Sequence, residues 1–202
     1  EGEVRISRAR QRCRFPCRIT LVAATNPCPC GRYGEAEGSC SCGEGLRRRY
    51  WGRLSGPLLD RLDLQGVMRR PASRALAAPF SRASGPSRPE AMPESSATVA
   101  ARVHRARRRM AERNPNRCSN GALSGQDLVG VAGLSDMARR LWEGAIEQRR
   151  LSARASLRLL RVARTIADLA ELPQIEPEAI AEALSYRSFD RVEGQPTGAG
   201  GT

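Results

Sequence analysis

TNPCPCGRYGEAEGSCSCGEGLRRRYWGRLSGPLLDRLDL, residues Thr25 to Leu64, holds four of the seven cysteines as two Cys-x-Cys pairs, Cys28/Cys30 and Cys40/Cys42. The nine residues between the pairs include Gly31, Gly34 and Gly38, which permit a sharp reversal, so the four thiols can converge on one tetrahedral ion. A structural zinc knuckle is the expected result. An iron–sulfur cluster is the second metal reading. The non-metal alternative, that the cysteines are small buried apolar residues or disulfide partners, suits a polar, glycine-rich loop poorly. The stretch ends in Asp60-Arg61-Leu62-Asp63, and an arginine between aspartates by itself makes only weak local ion pairs.

Upstream, Glu3 to Ser7 alternates, with Val4 and Ile6 on one side and Glu3, Arg5 and Ser7 on the other, the pattern of a half-exposed strand. Arg8, Arg10, Arg12 and Arg14 follow, and Arg18 to Thr25 returns as an apolar strand, predicting a β-hairpin from Glu3 to Thr25 with arginines near its tip. Arg8, Arg10 and Arg12 are candidates to meet a phosphate backbone; a merely solvated turn is the alternative. Ile19 to Ala24 is apolar nearly throughout, as in a parallel strand buried on both faces, and Asn26 follows at its carboxyl end, where ligands of α/β sheets gather. An Asn before Pro is otherwise a turn former.

Downstream, Leu58, Leu59 and Leu62 are expected to dock on a core. Residues 71 to 93 hold five prolines and several serines and read as a flexible linker. A helix follows from Ser95 or Ser96, with Val99, Val103, Ala106 and Met110 on one stripe, until Asn114-Pro115 stops it. Its arginines read as a solvated face, and His104, the one histidine, has no second ligand nearby. Ser124 and Ser135 read as caps, the second opening a helix to about Arg149 with Met137, Leu141 and Ala145 on its packed stripe. From Ser152 to Leu172 the pattern sets Leu159, Ala163 and Ile166 against Arg154, Arg158 and Arg161, predicting one packing face and one guanidinium face. A last helix starts at Pro177, and the glycine-rich tail, residues 191 to 202, reads as disordered.

The chain has 202 residues and a formal net charge of +13, which points to a polyanionic partner, with nucleic acid foremost. Its basic residues are all arginine, with no lysine, a composition that also fits a coding bias. A phosphate loop of the form G-x4-G-K-[ST] needs lysine, so this chain cannot by itself be a complete nucleotide hydrolase of that type. The start at Glu1 and the immediate entry into a strand-like run suggest a piece of something larger. No run has the length and apolarity of a membrane span, and the cysteine usage favours a reducing compartment, so a soluble cytoplasmic protein is expected.

Taken together, the strand before Asn26-Pro27, the paired Cys-x-Cys motifs, GRLSGPLLDRLDL at 52 to 64, PESSATVAARV at 93 to 103 and LSARASLRLLRVARTIADL at 151 to 169 resemble the magnesium-chelatase-like AAA+ ATPases of bacteria. The nearest branch is the competence-associated one, whose members act as DNA helicases in branch migration during natural transformation. The resemblance implies an α/β fold, the carboxyl-terminal part of an AAA+ core (residues 1 to 70, with the four-cysteine insertion at 28 to 42), followed by an all-α lid at 94 to 190. It implies sensor 1 at Asn26, a trans-acting arginine finger at Arg61 and sensor 2 at Arg154. The hairpin would be the insertion that grips DNA in the pore of a hexameric ring. ATP and Mg²⁺ would be bound only in a full-length context, because the phosphate loop and the acidic pair that family members carry upstream are absent here. Cys13 and Cys17 stand where ordinary polar or small residues are expected.

Two other functions fit the residues. One is an ATP-independent, zinc-containing nucleic-acid-binding module; the other is a remnant of a chelatase-type motor subunit, for which DNA is irrelevant. The Cys-x-Cys pairs and the basic hairpin favour the DNA readings.

Overall fold

The computed structural model describes residues 2–8, 11–17, 19–35, 39–59, 61–68 and 94–187, within two compact units, Glu1–Tyr50 and Trp51–Thr202. It is a mixed α/β structure with a small two-stranded sheet in the first unit and helices that dominate the second. Among the described residues no helix is long and apolar enough to cross a membrane. The expected linker at 71–93, the tail at 191–202 and Arg10 lie outside the described residues.

In the first unit, β1 (Glu3–Arg8) pairs antiparallel with β2 (Gln11–Pro16), setting Val4 opposite Phe15, Ile6 opposite Cys13, Arg5 opposite Arg14 and Ser7 opposite Arg12. Residues directly opposite share a face and neighbours along a strand alternate, so Val4, Ile6, Cys13 and Phe15 form one face and Arg5, Arg12 and Arg14 the other. The hairpin is therefore tighter than the sequence pattern predicts. Its second strand is the basic run 11–16, not Arg18 to Thr25, because β1 pairs with the nearest segment able to fold back on it. The expected buried strand at Ile19 to Ala24 is also corrected. Residues 19–26 form no strand, and Ile19, Leu21 and Val22 are 77%, 65% and 89% exposed. A parallel strand needs hydrogen-bonding neighbours and helices over both faces, and the described residues supply neither.

α1 (Glu44–Trp51) leads to the second unit, which holds the short α2 (Gly56–Leu59) and then α3 (Ser96–Arg113), α4 (Gly125–Val131), α5 (Asp136–Arg149), α6 (Ala153–Leu169) and α7 (Pro177–Ser185). Four serines start four of these helices in the same way. The hydroxyls of Ser95, Ser124, Ser135 and Ser152 accept the amides of Thr98, Asp127, Ala138 and Ala155, satisfying donors that have no partner within the helix. Pro177 sits in the first turn of α7, where its missing amide costs nothing. Gly133, at φ +58°, turns the chain after α4 so that the Ile175 amide reaches its carbonyl at 2.7 Å.

The core of this unit is rich in alanine, which lets helices approach closely: Ala132, Ala138, Ala163, Ala167, Ala179 and Ala183 lie with Leu128, Leu159, Leu160, Ile175 and Ile180. α6 is its centre, packing against α3 and α7. On α3, Ala106 and Met110 are buried as the periodicity predicts. On α5 the stripe holds at Ala145 and is displaced by one residue at its other two positions. Met137 is 70% exposed and Leu141 38%, while Ala138, Ala145 and the half-buried Trp142 face inward, because the Trp142 indole N–H donates to the Ser156 carbonyl on α6. Of the predicted docking leucines, Leu58 stays exposed while Leu59 and Leu62 are half-buried.

The guanidinium face expected on α6 is also revised. Arg158 bonds to Asp63 and to the Arg61 carbonyl, and Arg161 donates to the Leu123 carbonyl at 2.9 Å, so both are tied to their own unit. Arg164 is fully buried. It donates to the carbonyls of Ala132, Leu172 and Pro173 and lies 3.2 Å from the Asp168 carboxylate. Asp168, equally buried, also accepts from Arg113 at 2.5 and 2.9 Å and from Asn120 at 2.9 Å.

Candidate functional site

The knuckle is assembled by its glycines and by α1. Gly31 and Gly34 take φ of +79° and +89°, conformations that cost a side chain dearly, and the Gly31 amide donates to the Cys28 carbonyl at 3.0 Å. The hairpin-like return brings the four sulfurs of Cys28, Cys30, Cys40 and Cys42 within 4.8 Å of one another. Cys28 lies 3.3 Å from Cys30 and 3.7 Å from Cys40, and Cys30 lies 3.6 Å from Cys40. A tetrahedron with sulfur about 2.3 Å from its centre has edges of about 3.8 Å, so the cluster has the size of a four-thiolate metal site. These four cysteines could hold a metal ion.

The electrostatics agree. The Arg32 amide and then the Cys28 sulfur hold the Cys30 thiol down to about 6. The Cys30 amide favours a Cys42 thiolate, but burial and the sulfurs of Cys30 and Cys28 outweigh it and push Cys42 up to about 11. Cys40 rises on the same balance, its lowering contact being the Cys42 amide. A bare cluster thus favours one thiolate and resists more, and a central cation removes that resistance.

Contacts invisible to motif reading brace the knuckle. The Arg47 guanidinium lies 4.6 Å from the centre of the Tyr33 ring and bonds to the Cys42 carbonyl, while the Tyr50 hydroxyl meets Thr25 Oγ1 at 3.0 Å. α1 is thereby fastened to both ends of the Cys-x-Cys segment. Asn26 is exposed at the entry to the knuckle, its side chain beside Gly31.

Arg61 and Arg154 belong to the second unit. Both are exposed. Arg61 follows α2, and its carbonyl is held by Arg158. Arg154 lies in the first turn of α6, and its side chain has no hydrogen-bond or ion-pair partner among the described residues. A cation there faces the positive end of the helix dipole, so nothing local favours it. Three arginines of α3 contrast with it: Arg102 pairs with Glu94, Arg105 with Glu171 and Arg108 with Glu112. On the hairpin, Arg8 shares the face of Ile6 while Arg12 lies on the opposite face with Arg14, so the predicted basic tip is divided between two faces. Cys13 is exposed and Cys17 partly so, and both are free thiols.

Sequence reasoning missed Arg158 as a tie between the 61–63 segment and α6, and Asn120 as the hub under Arg113 and Asp168. The i,i+4 spacing of Arg164 and Asp168 was a usable signal for part of the second; nothing local marks the pairing of Asp63 with Arg158, 95 positions apart.

Two family models match the chain. One, described as magnesium chelatase, subunit ChlI, covers residues 1–76, and the other, described as magnesium chelatase, subunit ChlI C-terminal, covers residues 93–187. The chain is similar to the uncharacterized protein YifB of Salmonella typhimurium, 37% identical over 191 residues, and to YifB of Escherichia coli, 38% identical over 191 residues. It is also similar to the competence protein ComM of Haemophilus influenzae, 36% identical over 199 residues. Each of these matches takes in 95% of this chain and 35% of the relative, so the chain spans about a third of the length of the curated relatives it matches.

Proposed function

The chain belongs to the magnesium-chelatase-like family, and from that premise we propose that it is the sensor and lid portion of an ATP-driven, DNA-remodelling AAA+ motor. In this reading another stretch of polypeptide supplies the phosphate loop and the Mg²⁺ ligands. Asn26 orients the attacking water, Arg61 reaches a neighbouring protomer's nucleotide in a ring, and Arg154 contacts the nucleotide from the lid. Charge that develops on a transferring phosphoryl group is stabilised by guanidinium groups delivered to it, so both arginines have to be presented rather than packed. Zinc held by Cys28, Cys30, Cys40 and Cys42 would keep the knuckle folded and take no part in the hydrolysis. The arginines read from the hairpin sequence, Arg8, Arg10 and Arg12, supply the DNA contact.

The observation that carries this reading is the solitary state of Arg154. Arg158, Arg161 and Arg164 on the same helix are all tied into the fold, while Arg154 is exposed, without a partner among the described residues and set at the electrostatically unfavourable end of α6. An anion would remove that penalty. In a polypeptide that includes the phosphate loop, Arg154→Ala and Arg61→Ala are each expected to lower ATP turnover by about a hundredfold or more without shifting the melting temperature. Turnover at the wild-type level in Arg154→Ala defeats the assignment.

One observation favours a second reading, a zinc-containing nucleic-acid-binding module independent of ATP: the hairpin and the knuckle lie in one compact unit. Measuring DNA affinity with and without ATP separates the two, since only the motor ties DNA binding to nucleotide state.

A further inference from the structure

Among the described residues of the run 58–65, Leu59 and Leu62 are half-buried. Leu58 and Leu64 are exposed, and among the described residues of this run only Gln65 is buried. Polar hooks hold the run as well. At one end the Gln65 amide donates to the Tyr186 carbonyl at 2.7 Å and its side chain donates to the Leu59 carbonyl at 3.3 Å. In the middle a single nitrogen, Arg158 Nη1, donates both to the Arg61 carbonyl and to the Asp63 carboxylate, the latter at 2.9 Å. Arg158 is one turn along α6 from Arg154, a rise of about 6 Å.

From this we infer that Arg158 is a positioning residue that clamps the Arg61 segment to the helix bearing Arg154, so that a displacement of α6 moves Arg61. The inference rests on the functional reading of Arg61 and Arg154 given above, and it adds a link that reading does not require. Two features distinguish the clamp from an ordinary surface ion pair. Its first acceptor is the backbone of Arg61 itself, so it fixes the residue that must be aimed. The Arg158 side chain is also the more enclosed of the pair, 19% exposed against 59% for Asp63, unlike a pair with both partners open to solvent. A nucleotide that engages Arg154 would then reset Arg61, which serves a different nucleotide, and adjacent sites in a ring would be linked through one helical turn.

The test has two arms. In the 202-residue chain, Arg158→Ala is expected to accelerate amide hydrogen exchange at Arg61 and Leu62, with the amides of α6 from Leu159 onward unchanged. In a polypeptide that includes the phosphate loop, the same variant should lower kcat by about a hundredfold with KM for ATP little altered, the scale of a misplacement of about 1 Å. It should add nothing further in an Arg61→Ala background, and Arg158→Lys should restore part of the rate. Unchanged exchange overturns the clamp. Faster exchange with normal turnover overturns its positioning role. If the wild-type polypeptide hydrolyses no ATP, the motor reading fails and with it the link between sites, while the exchange result still decides whether the clamp exists.

Discussion

Asp168 has no surface in contact with water, yet it is the point on which α3, the turn at Asn120 and α6 converge. Burial by itself would raise its pKa. Hydrogen bonds from Arg113 and Asn120 and the charge of Arg164 outweigh that effect, and the net shift is downward from 3.8. Arg164 is lowered in turn, chiefly by its own desolvation, which the nearby Asp168 charge opposes. Each member makes the burial of the others tolerable, so removing one leaves an uncompensated charge. Asp168→Ala is therefore expected to destabilise the helical unit by about 3 kcal/mol or more in denaturant unfolding. The sign of the pH dependence follows from the depressed value. The stabilisation is complete above the unfolded pKa of about 3.9 and drains away as pH falls through the lower, folded one. Acid unfolding of wild type should accordingly show a steep loss below about pH 4 that the Asp168→Asn variant lacks.

The Cys-x-Cys segment is an element that cannot be stable through apolar burial, since it is short, polar and glycine-rich. On the reading proposed above a metal cross-link adds to the braces from α1, and four sulfurs within 4.8 Å provide the place for one. Purified chain is expected to carry about one zinc, measured by atomic emission. Stripping it with a chelator should abolish the ordered environment of Tyr33 and Tyr50 while leaving the thermal transition of the helical unit in place, because the clustered hydrophobic core lies in that second unit. Metal-free chain with four titratable thiols at these positions and an unchanged Tyr33 signal would remove the zinc assignment. The helices behave differently. Four of them, α3 to α6, have a serine cap whose hydroxyl finds an amide three residues on, so their starts are set locally and survive any change in the knuckle.

At the scale of the molecule, the chain corresponds to about a third of its curated relatives, and Ile19, Leu21 and Val22 lie open to solvent. With no lysine it has no phosphate loop of the G-x4-G-K-[ST] form, so on the reading proposed above the 202-residue chain alone should show no ATP turnover in a phosphate-release assay. Measurable turnover would contradict that reading. What the sequence alone determined is what depends on short range: the helix limits, through caps and prolines, the convergence of two Cys-x-Cys pairs, and the family, through motif order. The misread elements are those in which a distant partner decides. Ile19 to Ala24 has the composition of a buried strand, but burial requires neighbouring strands. Met137 and Leu141 share a helical stripe with Ala145, but the indole of Trp142, bonded to Ser156, displaces the packed face by one residue at the first two. The arginines of α6 look alike in one dimension. Tertiary structure alone made Arg164 a core residue, Arg158 a tie to Asp63 and Arg154 a cation without a partner among the described residues, because a guanidinium's role is set by which acceptors the folded chain brings within about 3 Å of it.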